Sequence, residues 1–161
     1  MELQHELGLQ APFKDTRHEA VLNVVRTANL LSAKASQLFR TYDLTEAQFN
    51  VLFALKFSGG DITQAELGKR LVVTRASITS VLDKLESKDL VRRIDVPGNR
   101  RIHHVELTHK GTELIDHVEP VYRNEVHNVL DDFDEAECAA LIDYMEKIRA
   151  QVQNLLAPAT Q

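Results

Sequence analysis

Apolar residues recur every three or four positions over most of this chain, and that spacing predicts amphipathic helices. Several helix starts carry a capping box, in which a Thr or Asp and a Glu or Gln three residues later each satisfy a backbone N–H. Outside the centre of the chain, the predicted helices are residues 16–40, Thr45 to about Phe57, His109 to about Leu130 with a kink at Pro120, and a last helix that follows Asp134 and reaches Leu155.

Two shorter helices follow each other closely in the centre of the chain. Thr63 and Glu66 form a capping box, so the first helix begins at Gln64 and ends near Leu71. Thr74 caps the next helix only a few residues later. Two helices joined by so short a turn must cross steeply, which predicts a helix-turn-helix.

The second of these helices has two chemically different faces. Ile78 and Leu82 mark an apolar face, and short polar side chains lie opposite. Short side chains let a helix enter the major groove of DNA, where hydroxyls reach base edges or phosphates. An ordinary surface helix has the same pattern, so the interpretation of this helix as a DNA-recognition helix depends on the hairpin that follows. The predicted DNA contacts of this helix are Thr74, Arg75, Ser77, Thr79 and Ser80.

A basic β-hairpin is predicted directly after the second helix. The runs 90–94 and 102–107 are rich in β-branched residues, and Pro97-Gly98 between them suits a type II turn. Arginines at the tip of such a wing can enter the minor groove, whose negative potential attracts guanidinium groups. We expect Arg100 and Arg101 to serve the minor groove, and Arg92 and Arg93 to neutralise phosphates.

The centre of the chain resembles the MarR (multiple antibiotic resistance regulator) family of winged helix-turn-helix transcription factors. The resemblance is carried by VTRASITSVLDKLE, the LVRR that follows, the basic wing and the closing ELTHKG. In the wing, where the family commonly has Asp-x-Arg, this chain has Asn99 and Arg101. The resemblance implies one MarR-like domain over residues 1–161, mainly α with a small β-hairpin wing. Within it, residues 45–108 would form the DNA-binding lobe, and residues 10–40 and 109–157 a helical dimerisation region.

The terminal helices carry more apolar surface than a small lobe can cover, so a two-fold partner is expected. Burial within one monomer is the alternative. In a homodimer, two recognition helices about 34 Å apart would read a palindromic operator. The sequence thus predicts a homodimeric transcriptional regulator that binds double-stranded DNA and acts as a ligand-responsive repressor.

The resemblance also implies an effector site. Family members commonly bind a small, often aromatic or phenolic, anion between the dimer helices and the DNA-binding lobe. The two phenylalanines among the candidates also suit core packing. The candidate pocket residues are His18, Arg26, Phe49, Phe53 and His117.

The charge is distributed unevenly along the chain, whose net charge is −5. Residues 61–110 hold ten basic and seven acidic residues, or +3, whereas residues 111–161 hold three basic and eleven acidic residues, or −8. The basic segment supplies the salt-dependent attraction to phosphate.

Cys138 is the single cysteine, and neither a signal peptide nor a membrane span is evident, so we expect a cytoplasmic protein.

Catalytic motifs are absent from the sequence, which predicts a non-enzyme without a cofactor. His103 and His104 alternate across a strand and do not converge, so no metal site is predicted. Two alternatives stay open. One is a zinc-responsive regulator of the same fold, with ligands assembled across helices or across the dimer. The other is a winged-helix module that binds protein and has no DNA partner.

Overall fold

The computed structural model describes residues 3–59, 62–71, 75–96 and 99–157, with the backbone alone for residues 75, 76, 96 and 99–102. Thr74 and the predicted Pro97-Gly98 turn lie outside the described residues. The elements are α1 (Leu3–Glu6), α2 (Thr16–Arg40), α3 (Glu46–Lys56), β1 (Ile62–Thr63), α4 (Gln64–Arg70), α5 (Arg75–Ser87), β2 (Val91–Val96), β3 (Asn99–Leu107), α6 (His109–Val129) and α7 (Glu135–Leu156).

The fold is mainly helical with a small antiparallel sheet, which confirms the predicted fold class. Strands β2 and β3 form the wing hairpin, with Val91 opposite Leu107 and Arg93 opposite Val105. The sequence did not predict β1, which pairs with the other side of β3. A strand of two residues has no periodic pattern to read, and it forms because β3 offers an open edge.

All three predicted capping boxes are present, at the starts of α3, α4 and α7. At α3, the Thr45 N–H donates to Gln48 Oε1 at 2.9 Å, and the Gln48 N–H donates to Thr45 Oγ1 at 3.2 Å. Asp15 caps α2 by accepting from the Arg17 N–H at 2.9 Å. Because these bonds satisfy N–H groups that a helix leaves unpaired, the helices begin where the sequence places them.

Two compact units make up the chain, residues 1–119 and residues 120–161. The predicted apolar stripe of α5 is confirmed, since Ile78, Leu82 and Leu85 are all buried. Buried side chains from α2, α3, α4, the wing and the first part of α6 complete the core of the first unit: Phe39, Phe49, Leu52, Leu67, Val91, Val105, Ile115 and Val118.

The start of α6 lies directly against the chain that leaves α5. Leu90 O accepts a hydrogen bond from the Thr108 N–H at 3.1 Å, and Thr108 Oγ1 donates to Asp89 O at 2.6 Å. Gly111 is buried there, and a Cβ at its position would lie 1.9 Å from Leu90 O. Glycine is therefore required for this approach, which ties the end of α5 to the start of α6.

Helix α7, in the second unit, has no buried residue, although it carries many apolar side chains. Ile142, Ile148, Val152 and Leu155 are all exposed, and Leu155 is 79% exposed. In the first unit, α2 exposes Val21, Val25, Leu30 and Leu31 in the same way. Over the described part of the chain, we find no helix with the length and apolar character needed to span a membrane.

Candidate nucleic-acid interface

Helix α5 carries four of the nine predicted DNA-contacting residues. Ser77 and Ser80 are exposed on it, and Thr79 is half-buried. The backbone of Arg75 forms the first residue of the helix. Thr74 lies outside the described residues, so its predicted contact stays a prediction.

A hydrogen bond joins the two helices of the helix-turn-helix. Gln64 Nε2, at the start of α4, donates to Thr79 Oγ1 on α5 at 2.7 Å. The bond braces one side of α5 against α4.

The same face of α5 is also held by Arg93 from strand β2. Arg93 Nη1 lies 2.6 Å from Glu86 Oε2, and Nη2 lies 2.6 Å from Asp83 Oδ1. Nη2 also donates to Thr79 O at 3.4 Å, and the Arg93 backbone N–H donates to Glu86 Oε1 at 3.2 Å. The Arg93 side chain is only 19% exposed. Its guanidinium is thus bound within the lobe, which favours a structural role over the predicted phosphate contact.

A sequence signal for this inward position of Arg93 exists. Side chains alternate between the two faces of a strand, so Arg93 shares a face of β2 with Val91, and Arg92 points the other way. Val91 is buried and Arg92 is exposed. Asp83 and Glu86 are three residues apart and lie on one face of α5. The alternation along β2 and the spacing on α5 therefore distinguish Arg93 from Arg92 at the level of sequence.

Arg92 is 64% exposed and pairs with Glu106 on the neighbouring strand. Its Nε and Nη2 lie 3.2 Å and 2.9 Å from Glu106 Oε2. Exposed ion pairs of this kind are typically worth less than about 1 kcal/mol, so a DNA phosphate could displace the carboxylate. The backbones of Arg100 and Arg101 lie in β3, and the predicted minor-groove contacts of their side chains stay predictions.

One carboxylate at the start of α4 has a shifted pKa. Hydrogen bonds from Thr63 hold the pKa of Glu66 below its ordinary value of 4.5, the bond from the backbone N–H being the larger cause. The N–H and the hydroxyl of Thr63 donate to Glu66 Oε2 at 2.9 Å and 2.8 Å. Glu66 therefore stays ionised at neutral pH, where it caps α4.

The five predicted effector residues have varied surroundings. Phe49 is 2% exposed and stacks on Phe39 in the core, with ring centroids 4.1 Å apart. Phe53 lies beside Phe49, with centroids 5.7 Å apart. The other three contact different partners: His18 lies edge-on to Phe13, Arg26 pairs with Glu6 at 3.1 Å, and His117 lies edge-on to Tyr42.

A surface cavity of about 350 Å³ lies elsewhere in the first unit. It is formed by the end of α2, the start of α3 and the end of α5, and includes three cationic side chains and one carboxylate. None of the five predicted effector residues is among those that line it. The lining residues are Arg40, Asp43, Leu44, Thr45, Gln48, Lys84, Ser87 and Lys88.

Metal ligands do not cluster in the part of the chain that the structure describes. No three His, Cys, Asp or Glu side chains there come together to hold an ion. His103 Nδ1 instead lies 2.9 Å from Asp95 Oδ1 on the neighbouring strand, and Cys138 is a half-buried free thiol. The zinc-responsive alternative gains no support from these residues.

A helix-turn-helix held against a β-hairpin defines a winged-helix protein. A sequence model of the MarR family matches residues 42–102. The transcriptional regulator PecS of Dickeya dadantii is 28% identical over 144 residues, which cover 86% of this chain and 87% of PecS. The chain is therefore similar to the winged helix-turn-helix transcriptional regulators of the MarR family, which are DNA-binding regulators and not enzymes.

Solved structures agree with this assignment. A mutant MarR from Escherichia coli in complex with operator DNA is 27% identical to this chain, with a TM-score of 0.69 over 84% of this chain and 99% of that one. The regulator AbsC from Streptomyces coelicolor has the same fold, with a TM-score of 0.81 at 20% identity over 90% of this chain and 99% of its own. The family resemblance drawn from the sequence is confirmed.

Proposed function

We propose that this protein is a homodimeric repressor that binds a palindromic operator and releases it when a small anion binds. The observation that carries the proposal is the braced helix α5, which exposes Ser77 and Ser80 beside the wing. Short hydroxyl side chains on a firmly held helix suit the major groove. A protein-interaction module would have no need for this combination.

In the proposed complex, each part of the lobe contacts a different part of the duplex. The start of α5 reads base edges, the wing tip enters the minor groove through Arg100 and Arg101, and the exposed Arg92 binds phosphate. Arg93 is the exception, because it is bound to carboxylates of its own lobe. The proposed major-groove contacts are Thr74, Arg75, Ser77, Thr79 and Ser80.

The proposed dimer covers the exposed apolar side chains of α2 and α7. Contiguous exposed apolar surface on a soluble chain marks an interaction site. On α7, Leu141, Ile148, Val152 and Leu155 recur at the spacing of one helical face. A second copy of the chain would supply a matching apolar surface for each helix.

The effector is proposed to be a small anion in the cavity between α2, α3 and α5. Arg40, Lys84 and Lys88 line it, and Asp43, the single carboxylate in the lining, is already paired with Lys88 at 2.9 Å. Arg40 and Lys84 have no carboxylate partner among the described residues. The pocket expected from the family resemblance stays a prediction, although Phe49, one of its five residues, lies in the core. The end of α5 forms part of the wall, so a bound anion could favour one position of that helix over another.

Operator binding is tested with the DNA that flanks the protein's own gene, titrated at several salt concentrations and compared with a random duplex. Arg101→Ala should lower operator affinity by about 1–3 kcal/mol if Arg101 makes a good groove contact. Lys14→Ala, at an exposed position before α2, is the control for loss of one positive charge. An unchanged isotherm for folded Arg101→Ala would remove that residue from the interface, and no preference for any flanking DNA would refute the function.

Dimerisation and the effector need separate measurements. Light scattering should give twice the mass of the chain, and Ile148→Asp should lower it, whereas a monomeric wild type would refute the dimer. A panel of small aromatic anions is screened for thermal stabilisation and for release of operator DNA. If no anion does both, the ligand response is wrong. The cytoplasmic location remains a prediction.

A further inference from the structure

The contacts of Arg93 extend along two turns of helix α5. Thr79, Asp83 and Glu86 follow one another at spacings of four and three residues, so they form one stripe about 10 Å long. Arg93 reaches all three from strand β2. These three contacts add to the buried apolar face of α5, and because they lie along one stripe they restrain both the rotation and the height of the helix against the wing.

The chemistry of arginine suits this task. A guanidinium group is planar and carries five N–H donors in a fixed fork, so it can hold two carboxylates in one geometry. Here, Nη1 and Nη2 each lie 2.6 Å from a carboxylate oxygen, and the side chain is mostly buried. A lysine could reach one of the carboxylates, but it would leave the relative position of the two turns free.

We propose that Arg93 is a positioning residue for operator recognition, which sets the angle of α5 relative to the wing and does not itself touch DNA. The inference rests on the proposed interface, in which α5 and the wing contact the operator together. Base reading depends on the direction of each side chain, so a loosened α5 would lose sequence discrimination before it lost general attraction to phosphate.

A direct phosphate contact by Arg93 makes the opposite prediction. In that case, Asp83 and Glu86 only compete with DNA for the guanidinium. Neutralising either carboxylate would then release Arg93 and remove a negative charge near the duplex, and operator binding would become tighter. In the positioning role, the same substitution loosens α5 and weakens operator binding, although the protein has become less negative.

The test measures the affinity of full-length protein for its operator and for a random duplex at several salt concentrations. Asp83→Asn and Glu86→Gln should each weaken operator binding by roughly 3- to 30-fold, the range for breaking one link in a contacting network. The ratio of the affinity for the operator to the affinity for the random duplex should also fall. Glu106→Gln is the matched control, because its arginine partner is exposed and the substitution should not weaken binding.

Arg93→Lys adds a test that keeps the positive charge. The positioning role predicts weaker operator binding with an unchanged salt slope, and a smaller operator-to-random ratio. A small and equal change on both duplexes, because a lysine neutralises one phosphate as an arginine does, would assign Arg93 to phosphate and overturn the proposal. Tighter binding by Asp83→Asn or Glu86→Gln would overturn it as well.

Amide hydrogen exchange tests the bracing without DNA. Asp83 and Glu86 are 59% and 41% exposed, so their amide variants should fold, which thermal unfolding verifies. Exchange along α5 should be faster in Asp83→Asn than in wild type, and unchanged exchange would overturn the proposal. Failure of the wild type to prefer its operator would refute the proposed function, whereas this exchange result depends on Arg93 and α5 alone.

Discussion

Replacement of Gly111 by alanine is the most direct test of how α6 is joined to the DNA-binding lobe. The added Cβ would lie 1.9 Å from Leu90 O, 2.9 Å from Leu90 C and 3.3 Å from Leu90 Cα. A carbon and an oxygen in ordinary contact are about 3.3 Å apart, so the two backbones would have to separate by more than 1 Å. Leu90 O also accepts the hydrogen bond from Thr108, and that bond would be strained or lost.

The expected destabilisation follows from three terms. Overpacking of a close contact costs about 1–3 kcal/mol. Loss of the hydrogen bond between Thr108 and Leu90 adds about 1 kcal/mol. Alanine stabilises a helix by about 1 kcal/mol relative to glycine, which offsets part of this loss. The free energy of unfolding should therefore fall by about 2 kcal/mol in Gly111→Ala, equivalent to roughly 4–8 °C in melting temperature for a chain of this size.

Urea unfolding followed by circular dichroism measures the change, with all proteins at one concentration because a dimer's stability depends on it. Thr112→Ala is the matched control, since Thr112 is the next residue of α6, is exposed, and makes only a local bond to Thr108 O at 3.0 Å. Its unfolding free energy should change by no more than about 0.5 kcal/mol. If Gly111→Ala and Thr112→Ala had the same midpoint, the close approach would carry no energetic weight and the reasoning would be wrong.

Three further predictions concern α5 and α4. Arg75→Ala should reduce binding to the operator more than to a random duplex in the same titration, and equal losses would assign Arg75 to phosphate. Thr63→Ala removes the cap of α4 and should lower the free energy of unfolding, measured in urea, by about 1 kcal/mol. An unchanged midpoint of unfolding would show that the cap is unimportant. The lowered pKa of Glu66 means that its ionised form stabilises the fold at pH values above 4.5, and that this contribution is lost as the pH falls through the lowered pKa. The stability difference between wild type and Glu66→Gln should therefore shrink on acidification, and a difference independent of pH would contradict it.

Local patterns predicted the elements well because helix starts and stripes depend on residues close together in the chain. The capping boxes at Thr45, Thr63 and Asp134 each involve residues three positions apart, and all three are present. The apolar stripe of α5 likewise depends on one helical period. Of its four predicted members, Ile78, Leu82 and Leu85 are buried and Val81 is half-buried. The two-residue strand β1 escaped prediction because it exists only through its partner β3.

The surface cavity could not be predicted from local patterns. It lies where the ends of α2 and α5 meet the start of α3. Residues 40–48 and 84–88 are far apart in the chain, so no local spacing could have joined them. The five residues expected at an effector site stay a prediction, and Phe49 among them stacks on Phe39 in the core.

The amino-acid sequence alone determined that the chain is a winged helix-turn-helix that resembles the MarR family, because caps, apolar periods and the basic wing are encoded locally. Only the tertiary structure decided what each cation does. Arg92 and Arg93 are neighbours of the same charge, yet one is exposed and the other is bound to Asp83 and Glu86. A strand turns adjacent side chains to opposite faces, and the packing of α5 on β2 determines which face meets carboxylates and which meets solvent.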